Sequence, residues 1–118
     1  RDVAPSRGLG DVYKRQTMDY IAKQLVSYPN REYILKNNIE KTMYLLIENI
    51  FSYRIETSVR IKLKYLKSLL IQLSMLDYYM RVSYKRKFIS FKKYESIASF
   101  LLEIRKITYG VIRSEKSV

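Results

Sequence analysis

The scarcity of glycine and proline constrains the fold of this chain more than any other feature of its sequence. Only 3 Gly and 2 Pro occur in 118 residues. Gly8, Gly10 and Pro5 all fall within the first sixteen residues, so long stretches of the remaining chain run without a helix breaker. Because folds of many short strands need such residues in their tight turns, the shortage favours long helices.

Apolar side chains recur at intervals of three and four residues in this breaker-poor part of the chain, which is the period of one face of a helix. We predict a short helix over residues 17–28 that ends at Pro29, and long helices over residues 31–51, 58–82 and 91–114. The core stripes of the long helices are Leu35, Ile39, Met43, Leu46, Ile50 and Tyr53; Val59, Leu63, Leu66, Leu70, Leu73, Leu76 and Met80; and Tyr94, Ile97, Leu101, Ile104 and Val111. Four such helices joined by short turns predict an all-α fold, an antiparallel up-down four-helix bundle.

Further apolar residues flank two of these stripes and widen them. Tyr44, Ile47 and Phe51 lie beside the stripe of the second helix, and Ala98, Leu102, Tyr109 and Ile112 lie beside that of the fourth. Stripes of this width exceed what one helix seam requires. The surplus predicts contact with another subunit.

Three side chains are candidate N-caps, namely Asn30, Thr57 and Ser90. Gly110 falls inside the predicted fourth helix, where it is expected to cost about 1 kcal/mol relative to Ala. A close approach of another helix would account for this glycine, and fraying of the helix would account for it equally well.

The first sixteen residues, RDVAPSRGLGDVYKRQ, have no apolar periodicity. The string RGLGDVYKRQ resembles a translated sequencing-adapter read-through, so we interpret residues 1–16 as a non-native, disordered leader and residues 17–118 as the bundle domain. The alternative is a natural arm that binds nucleic acid through Arg7, Lys14 and Arg15. Without the leader the chain keeps 19 basic and 9 acidic residues, a net charge of +10 against +12 for the whole.

The absence of Cys and His excludes several kinds of site. Zinc fingers, disulfides, thiol nucleophiles and a histidine base are all ruled out, and we expect no metal and no cofactor. The lack of Cys also fits a cytoplasmic protein. The N-terminus lacks the apolar stretch of a signal peptide, and no apolar run reaches the length of roughly 20 residues that spans a bilayer. An enzyme that uses carboxylates such as Glu48 and Glu103 stays open as a minor hypothesis, beside the expectation of a non-catalytic protein.

The excess of positive charge predicts a polyanionic partner, which is nucleic acid, an anionic membrane or an acidic protein. The candidate phosphate-binding residues form two groups: Arg54, Arg60, Lys62, Lys64 and Lys67; and Arg81, Lys85, Arg86, Lys87, Lys92 and Lys93. In an antiparallel hairpin these groups lie at opposite ends. We predict that they contact phosphates of RNA or DNA with a strong dependence on salt. The alternative is a solvated face that only aids solubility.

Two further interpretations concern the aromatic and apolar residues. The 12 Tyr suggest base stacking, but most of them lie at core or flanking positions, where packing is the better explanation. Tyr78, Tyr79 and Tyr84, close to the second basic group, remain candidates for stacking. Binding to a membrane surface ranks third, because a bundle buries the apolar faces that a membrane would need.

Three segments, in order over residues 28–115, resemble the accessory variability determinant of diversity-generating retroelements. Residues 28–35, YPNREYIL, are similar to the family's aromatic-Pro-basic-x-Glu start of the second helix. Residues 39–48, IEKTMYLLIE, are similar to the continuation of that helix. Residues 88–106 resemble the family's last helix, with Tyr94, Glu95, Glu103 and Ile104 at matching positions, followed by Gly110 and Ile112.

The resemblance implies a small four-helix bundle that assembles into a ring-shaped homo-oligomer, a pentamer, with a basic surface. Such proteins bind a reverse transcriptase and nucleic acid, and support the mutagenic copying of template RNA into cDNA without being polymerases. This chain departs from the family at residues 36–38 and 105–110, where glycines are lost, which leaves the geometry of the oligomer open. A related bundle family, encoded within ribosomal RNA intervening sequences, is the alternative and implies a protein–protein interaction module.

Overall fold

The computed structural model describes residues 18–117, and the predicted leader lies outside them. The chain forms α1 (Met18–Leu25), a single 3-10 turn (Asn30–Glu32), α2 (Tyr33–Ile55), α3 (Val59–Lys85) and α4 (Phe91–Lys116). No strand occurs in this part of the chain. The all-α fold and the four-helix bundle are therefore confirmed.

The helix ends differ from the sequence prediction by a few residues. The first helix ends at Leu25 rather than at residue 28, because the N–H groups of Ser27 and Tyr28 bond three residues back and Pro29 disfavours helical geometry in the residue before it. The second helix continues to Ile55, since nothing between residues 51 and 55 breaks it. The third and fourth helices each extend past their predicted ends, to Lys85 and Lys116.

One of the three predicted N-caps is confirmed. The Ser90 hydroxyl accepts a hydrogen bond from the N–H of Lys93 at 3.2 Å. The prediction of Thr57 is wrong, because the cap is its neighbour Ser58, whose own N–H donates to the Glu56 carboxylate.

The prediction of Asn30 as an N-cap is also wrong. Asn30 opens the 3-10 turn, and α2 begins one turn later without a side-chain cap.

The helices enclose a main core and a smaller second cluster. The main core draws buried residues from all four helices and includes Ile21, Leu46, Leu73 and Ile97. The second cluster consists of Tyr53, Leu66, Val111 and Ile112, and α1 contributes nothing to it. All six residues of the stripe predicted for α2 are buried, as expected.

The short helix α1 covers only part of the bundle. Its eight residues span about 12 Å, against roughly 35–40 Å for each of the other helices. Just after α1, Tyr28 packs on Phe88 with ring centroids 5.3 Å apart, and Tyr20 packs on Phe100 at 6.1 Å. Four helices therefore meet at one end of the bundle, and three at the other.

The two ends of the bundle are defined by the turns that they contain. The α3–α4 end comprises the end of α1, the start of α2 and the turn at residues 86–90 that joins α3 to α4. The α2–α3 end comprises the turn at residues 56–58 and the C-terminal end of α4. The second cluster lies at the α2–α3 end.

The flanking residues that widen two of the stripes are largely exposed, and the start of the third stripe is predicted wrongly. Tyr44, Phe51, Leu102 and Tyr109 are 45–72% exposed, because no other helix within residues 18–117 covers those faces. Val59, in the first turn of α3, is 41% exposed.

Neither explanation offered for Gly110 holds. A Cβ at this position would meet only the flexible side chain of Arg113, at 3.8 Å, so no helix approaches closely. The helix also continues to Lys116, so it does not fray at Gly110. Within residues 18–117, no helix combines the length and apolar character needed to cross a membrane.

Candidate nucleic-acid interface

The segment formed by residues 81–93 concentrates positive charge at the α3–α4 end. It holds Arg81, Lys85, Arg86, Lys87, Lys92 and Lys93, and no acidic residue. All six side chains are exposed. Arg81 and Lys85 lie near the end of α3, Arg86 and Lys87 lie in the turn that follows, and Lys92 and Lys93 lie in the first turn of α4. The whole second group of predicted phosphate-binding residues is thereby brought together.

The backbone of this connection fixes Lys87 in a conformation that usually belongs to glycine. The N–H of Phe88 donates to the carbonyl of Ser83, and the N–H of Lys87 donates to that of Tyr84, each at 2.9 Å. This pair of bonds is a Schellman motif, in which the residue after the C-cap is left-handed. Lys87 occupies that position with a φ of 66°. A residue with a Cβ is strained there.

Two of the six cations are paired with carboxylates, one in the same helix and one in the 3-10 turn before α2. Arg81 pairs with Asp77 one turn earlier in α3, and Arg86 pairs with Glu32 at 2.9 Å. Hydrogen bonds to Tyr94 and to Asp77 raise the pKa of the Arg81 guanidinium. The other four, Lys85, Lys87, Lys92 and Lys93, have no ion pair with any residue in the range 18–117. These four remain available to an external anion.

Two basic residues that were not singled out from the sequence join this surface. Lys23 of α1 lines a groove together with Lys93, and Arg31 lines another with Arg86. They are far from the segment in sequence. The up-down topology, which places the end of α1 and the start of α2 beside the α3–α4 turn, is the signal that would have found them.

The first predicted group divides between two faces of the molecule. Arg60, Lys64 and Lys67 follow one another at intervals of four and three on the exposed side of α3. The same exposed side continues through Ile71, Met75 and Tyr78 to Lys85. Arg54 is exposed at the end of α2 and has no ion pair among the described residues.

Lys62 differs from the rest of the first group because it is engaged in the α2–α3 end. Its ammonium lies 3.7 Å from the Glu115 carboxylate and 5.5 Å from the centre of the Tyr53 ring. The Tyr53 hydroxyl donates to the same carboxylate at 2.7 Å. Burial and then the hydrogen bond and charge of Glu115 raise the pKa of Tyr53 above its usual range. Lys62 therefore packs at the edge of the second cluster, where its charge is paired with Glu115, and is less available to an external phosphate than the other residues of the first group.

The tyrosines proposed for base stacking have different surroundings. Tyr79 is half-buried and packs against the main core, with the exposed Tyr78 beside it at 5.9 Å. Tyr84 lies instead in an exposed group with Phe91 and Tyr94, two residues that sequence reasoning did not select.

The carboxylates proposed for catalysis do not converge. Glu48 of α2 and Glu103 of α4 are both exposed, and neither lines a groove with the other. Across the described helices, no group of three Asp or Glu residues is arranged to hold a metal ion. The candidate binding groups on the described surface are therefore exposed cations and aromatic rings.

Comparisons with protein-family models, with curated proteins and with solved structures find no match for this chain. The likeness to retroelement accessory proteins therefore depends on the sequence segments quoted above. The charge and packing of the α3–α4 end are independent of that likeness.

Proposed function

We propose that this chain is a non-catalytic accessory protein that binds nucleic acid through its α3–α4 end. The observation that carries the proposal is the segment at residues 81–93, in which six exposed cations occur without one carboxylate and four of them lack an ion pair within the described chain. Unpaired cations on one surface release condensed counterions when they neutralise phosphates. Contacts of this kind give affinity with little sequence preference.

The strained backbone at Lys87 supports the same proposal. A glycine at this position would remove the strain of the left-handed conformation at φ 66°. A lysine there places a charge at the tip of the turn, between Lys85 and the two lysines that open α4. Strain of this kind is tolerated where the side chain has a role at the surface.

The proposed biological setting is a diversity-generating retroelement. The protein would bind the element's reverse transcriptase, as a homo-oligomer, and support mutagenic cDNA synthesis by holding the RNA template or the cDNA. The support for this setting is the order of three similar segments over residues 28–115, together with the basic surface. It predicts a reverse-transcriptase gene beside the gene for this chain.

The first test is to measure the binding of a fluorescent RNA to the protein across a range of salt concentrations, with the mass in solution determined alongside. If four to six cations contact phosphates of a single strand, the slope of log K against log salt is about −3 to −4. A protein that ignores RNA even at low salt would end the proposal. Co-purification with the neighbouring reverse transcriptase then tests the retroelement setting separately.

A second candidate function, a helical protein–protein interaction module, is favoured by a different observation. Ile71, Met75 and Tyr78 form an exposed apolar strip on α3, and Ile71 is 60% exposed. Lysines flank the strip on both sides, at Lys67 and Lys85. Exposed apolar strips with a charged rim are typical of interaction sites. Replacing Ile71 by Asp tests the strip, because it should disrupt an oligomer or a protein complex that uses this surface, seen as a lower mass in solution, and leave RNA binding by the α3–α4 end intact.

A further inference from the structure

Three aromatic rings form a compact group on the surface of the α3–α4 end. The rings of Tyr84 and Tyr94 are stacked, with an interplanar angle of 20° and centroids 5.8 Å apart. Phe91 meets the Tyr84 ring edge-on at 5.5 Å and lies 6.5 Å from the Tyr94 ring. The group joins the last turn of α3 to the first turn of α4. We call these three residues the aromatic trio.

Two of the three rings of the trio are exposed to solvent. Phe91 is 54% exposed and Tyr84 is 37% exposed, whereas Tyr94 is half-buried against the main core. A single exposed aromatic residue is unremarkable on a protein surface. Here, however, the most exposed ring lies between Lys87 and Lys92 in sequence, inside the segment that contains six cations.

The acidic groups near the trio do little to offset these cations. The Asp77 carboxylate already pairs with Arg81 and lies 3.5 Å from the Tyr94 hydroxyl, which donates to it. Glu95 follows Phe91 by one turn of α4 and is exposed. The surroundings of the trio therefore keep a positive excess, which favours an anionic occupant over a basic protein segment.

From this juxtaposition we infer that the aromatic trio is a stacking site for the bases of single-stranded nucleic acid, with Phe91 as its principal platform and Lys87 and Lys92 as phosphate contacts. The inference rests on the proposed nucleic-acid binding and names its substrate class and its contact residues. Exposed rings set among cations are the combination that single-strand-binding surfaces use.

Single strands are favoured over duplexes because of what each form offers to an exposed ring. In a duplex the faces of the bases are covered by their neighbours, so a protein reaches mainly phosphates and groove edges. In a single strand every base has a π face that can stack on Phe91, whatever its identity. The trio therefore adds affinity for single strands beyond the charge contacts that both forms share.

The experiment compares Phe91→Leu with the unaltered protein in binding a fluorescent oligothymidine and a duplex of equal length at one salt concentration. Leucine keeps the apolar character and removes the ring. We expect the variant to bind the single strand roughly 5- to 100-fold more weakly, and the duplex about as well as before. Phe91→Tyr, which keeps a ring, should restore most of the single-strand affinity.

Tyr44→Ala is the matched control variant. Tyr44 is 72% exposed on α2 and has Glu40 and Glu48 one turn to either side, with Lys41 as the one cation within a turn before it, so its ring lies outside the segment of six cations. Its removal should leave both affinities unchanged. Because Phe91 and Tyr44 are both exposed, circular dichroism should report native helix content for every variant.

The outcomes separate this inference from the proposed function. Equal single-strand affinity in Phe91→Leu and the unaltered protein overturns the inference, while binding that weakens with salt leaves the proposed function standing. An equal loss of affinity for the single strand and the duplex also overturns the inference. The ring would then affect only the phosphate contacts that both forms share, and would not stack on bases. If the unaltered protein binds neither form at low salt, both proposals fail together.

Discussion

The two ends of the bundle differ in how their charged side chains are paired. At the α3–α4 end four helices meet around the main core, and Lys85, Lys87, Lys92 and Lys93 are left without ion pairs in the described chain. At the α2–α3 end three helices meet around a small cluster, where Tyr53, Lys62 and Glu115 pair with one another. Apolar side chains such as Ile55, which is 80% exposed, are left uncovered nearby.

This difference indicates which kind of partner suits each end. Unpaired cations attract a polyanion over long range, whereas exposed apolar surface gains most from a protein contact. A bundle that holds nucleic acid at one end and another protein, or another copy of itself, at the other would use both surfaces at once.

The largest difference should appear when one leucine is removed from each core. Leu73 in the main core and Leu66 in the second cluster are both fully buried on α3. Within a range of about 2–5 kcal/mol for Leu→Ala, we expect Leu73→Ala to lie near the top and Leu66→Ala near the bottom. Three helices close to solvent can collapse on a cavity more readily than four. Urea denaturation measures both losses, and a larger loss at Leu66 would refute the asymmetry.

Removing three positive charges from one end or from the other should change the affinity for RNA by different amounts and change the free energy of unfolding little. From the sequence alone, Lys85, Arg86 and Lys87 form the natural triple to replace. Arg86 pairs with Glu32, so Lys92 is the better third member. Replacing Lys85, Lys87 and Lys92 with Ala should weaken RNA binding roughly 10- to 100-fold at low salt and lower the salt slope by about 2.

The matched control for that triple is the replacement of Arg54, Arg60 and Lys64 with Ala. It removes the same net charge from three exposed residues that have no ion pair in the described chain. We expect only a small loss of RNA affinity. Equal losses from the two triples, measured by fluorescence anisotropy at matched salt, would mean that net charge matters and position does not.

Two buried tyrosines, one at each end, should respond differently to the loss of a hydroxyl. Tyr53 and Tyr28 are each 5% exposed. The Tyr53 hydroxyl donates to Glu115, whereas among residues 18–117 that of Tyr28 meets only the Ser83 hydroxyl, without the geometry of a full hydrogen bond. Tyr53→Phe should cost about 1 kcal/mol, and Tyr28→Phe should be neutral or slightly stabilising. Thermal unfolding of both variants tests this, and a larger loss for Tyr28→Phe would contradict it.

The core of the α2–α3 hairpin follows from the sequence because burial obeys the period of the helix. Leu35, Ile39 and Leu46 are buried as their spacing predicts. Helix ends are harder to predict, since local geometry decides between adjacent candidates. Thr57 and Ser58 both carry a hydroxyl, and the bond from the Ser58 N–H to Glu56 selects the second.

The candidate interface was predictable only in part. Residues 81–93 stand out from the sequence as a basic run, but the pairing of Arg81 and Arg86 depends on carboxylates brought in by the fold. Lys23 joins this surface only through topology. The stacking of Tyr84 on Tyr94 across a turn likewise needs the packed hairpin, because no periodicity relates residues of two helices.

The smallest expected effects come from introducing a glycine at one end and removing a glycine at the other. Lys87→Gly relieves the left-handed strain at the turn, and Gly110→Ala improves helix propensity at a position with room for a Cβ. Each should raise the free energy of unfolding by about 1 kcal/mol, which raises Tm by roughly 4–8 °C. Only Lys87→Gly removes a phosphate contact, so it alone should lower the salt slope of RNA binding by about 0.7–0.9. If Lys87→Gly raises the free energy of unfolding and leaves RNA affinity and salt slope unchanged, Lys87 does not contact a phosphate. The phosphate contacts would then have to come from Lys92, Lys93 and Lys23.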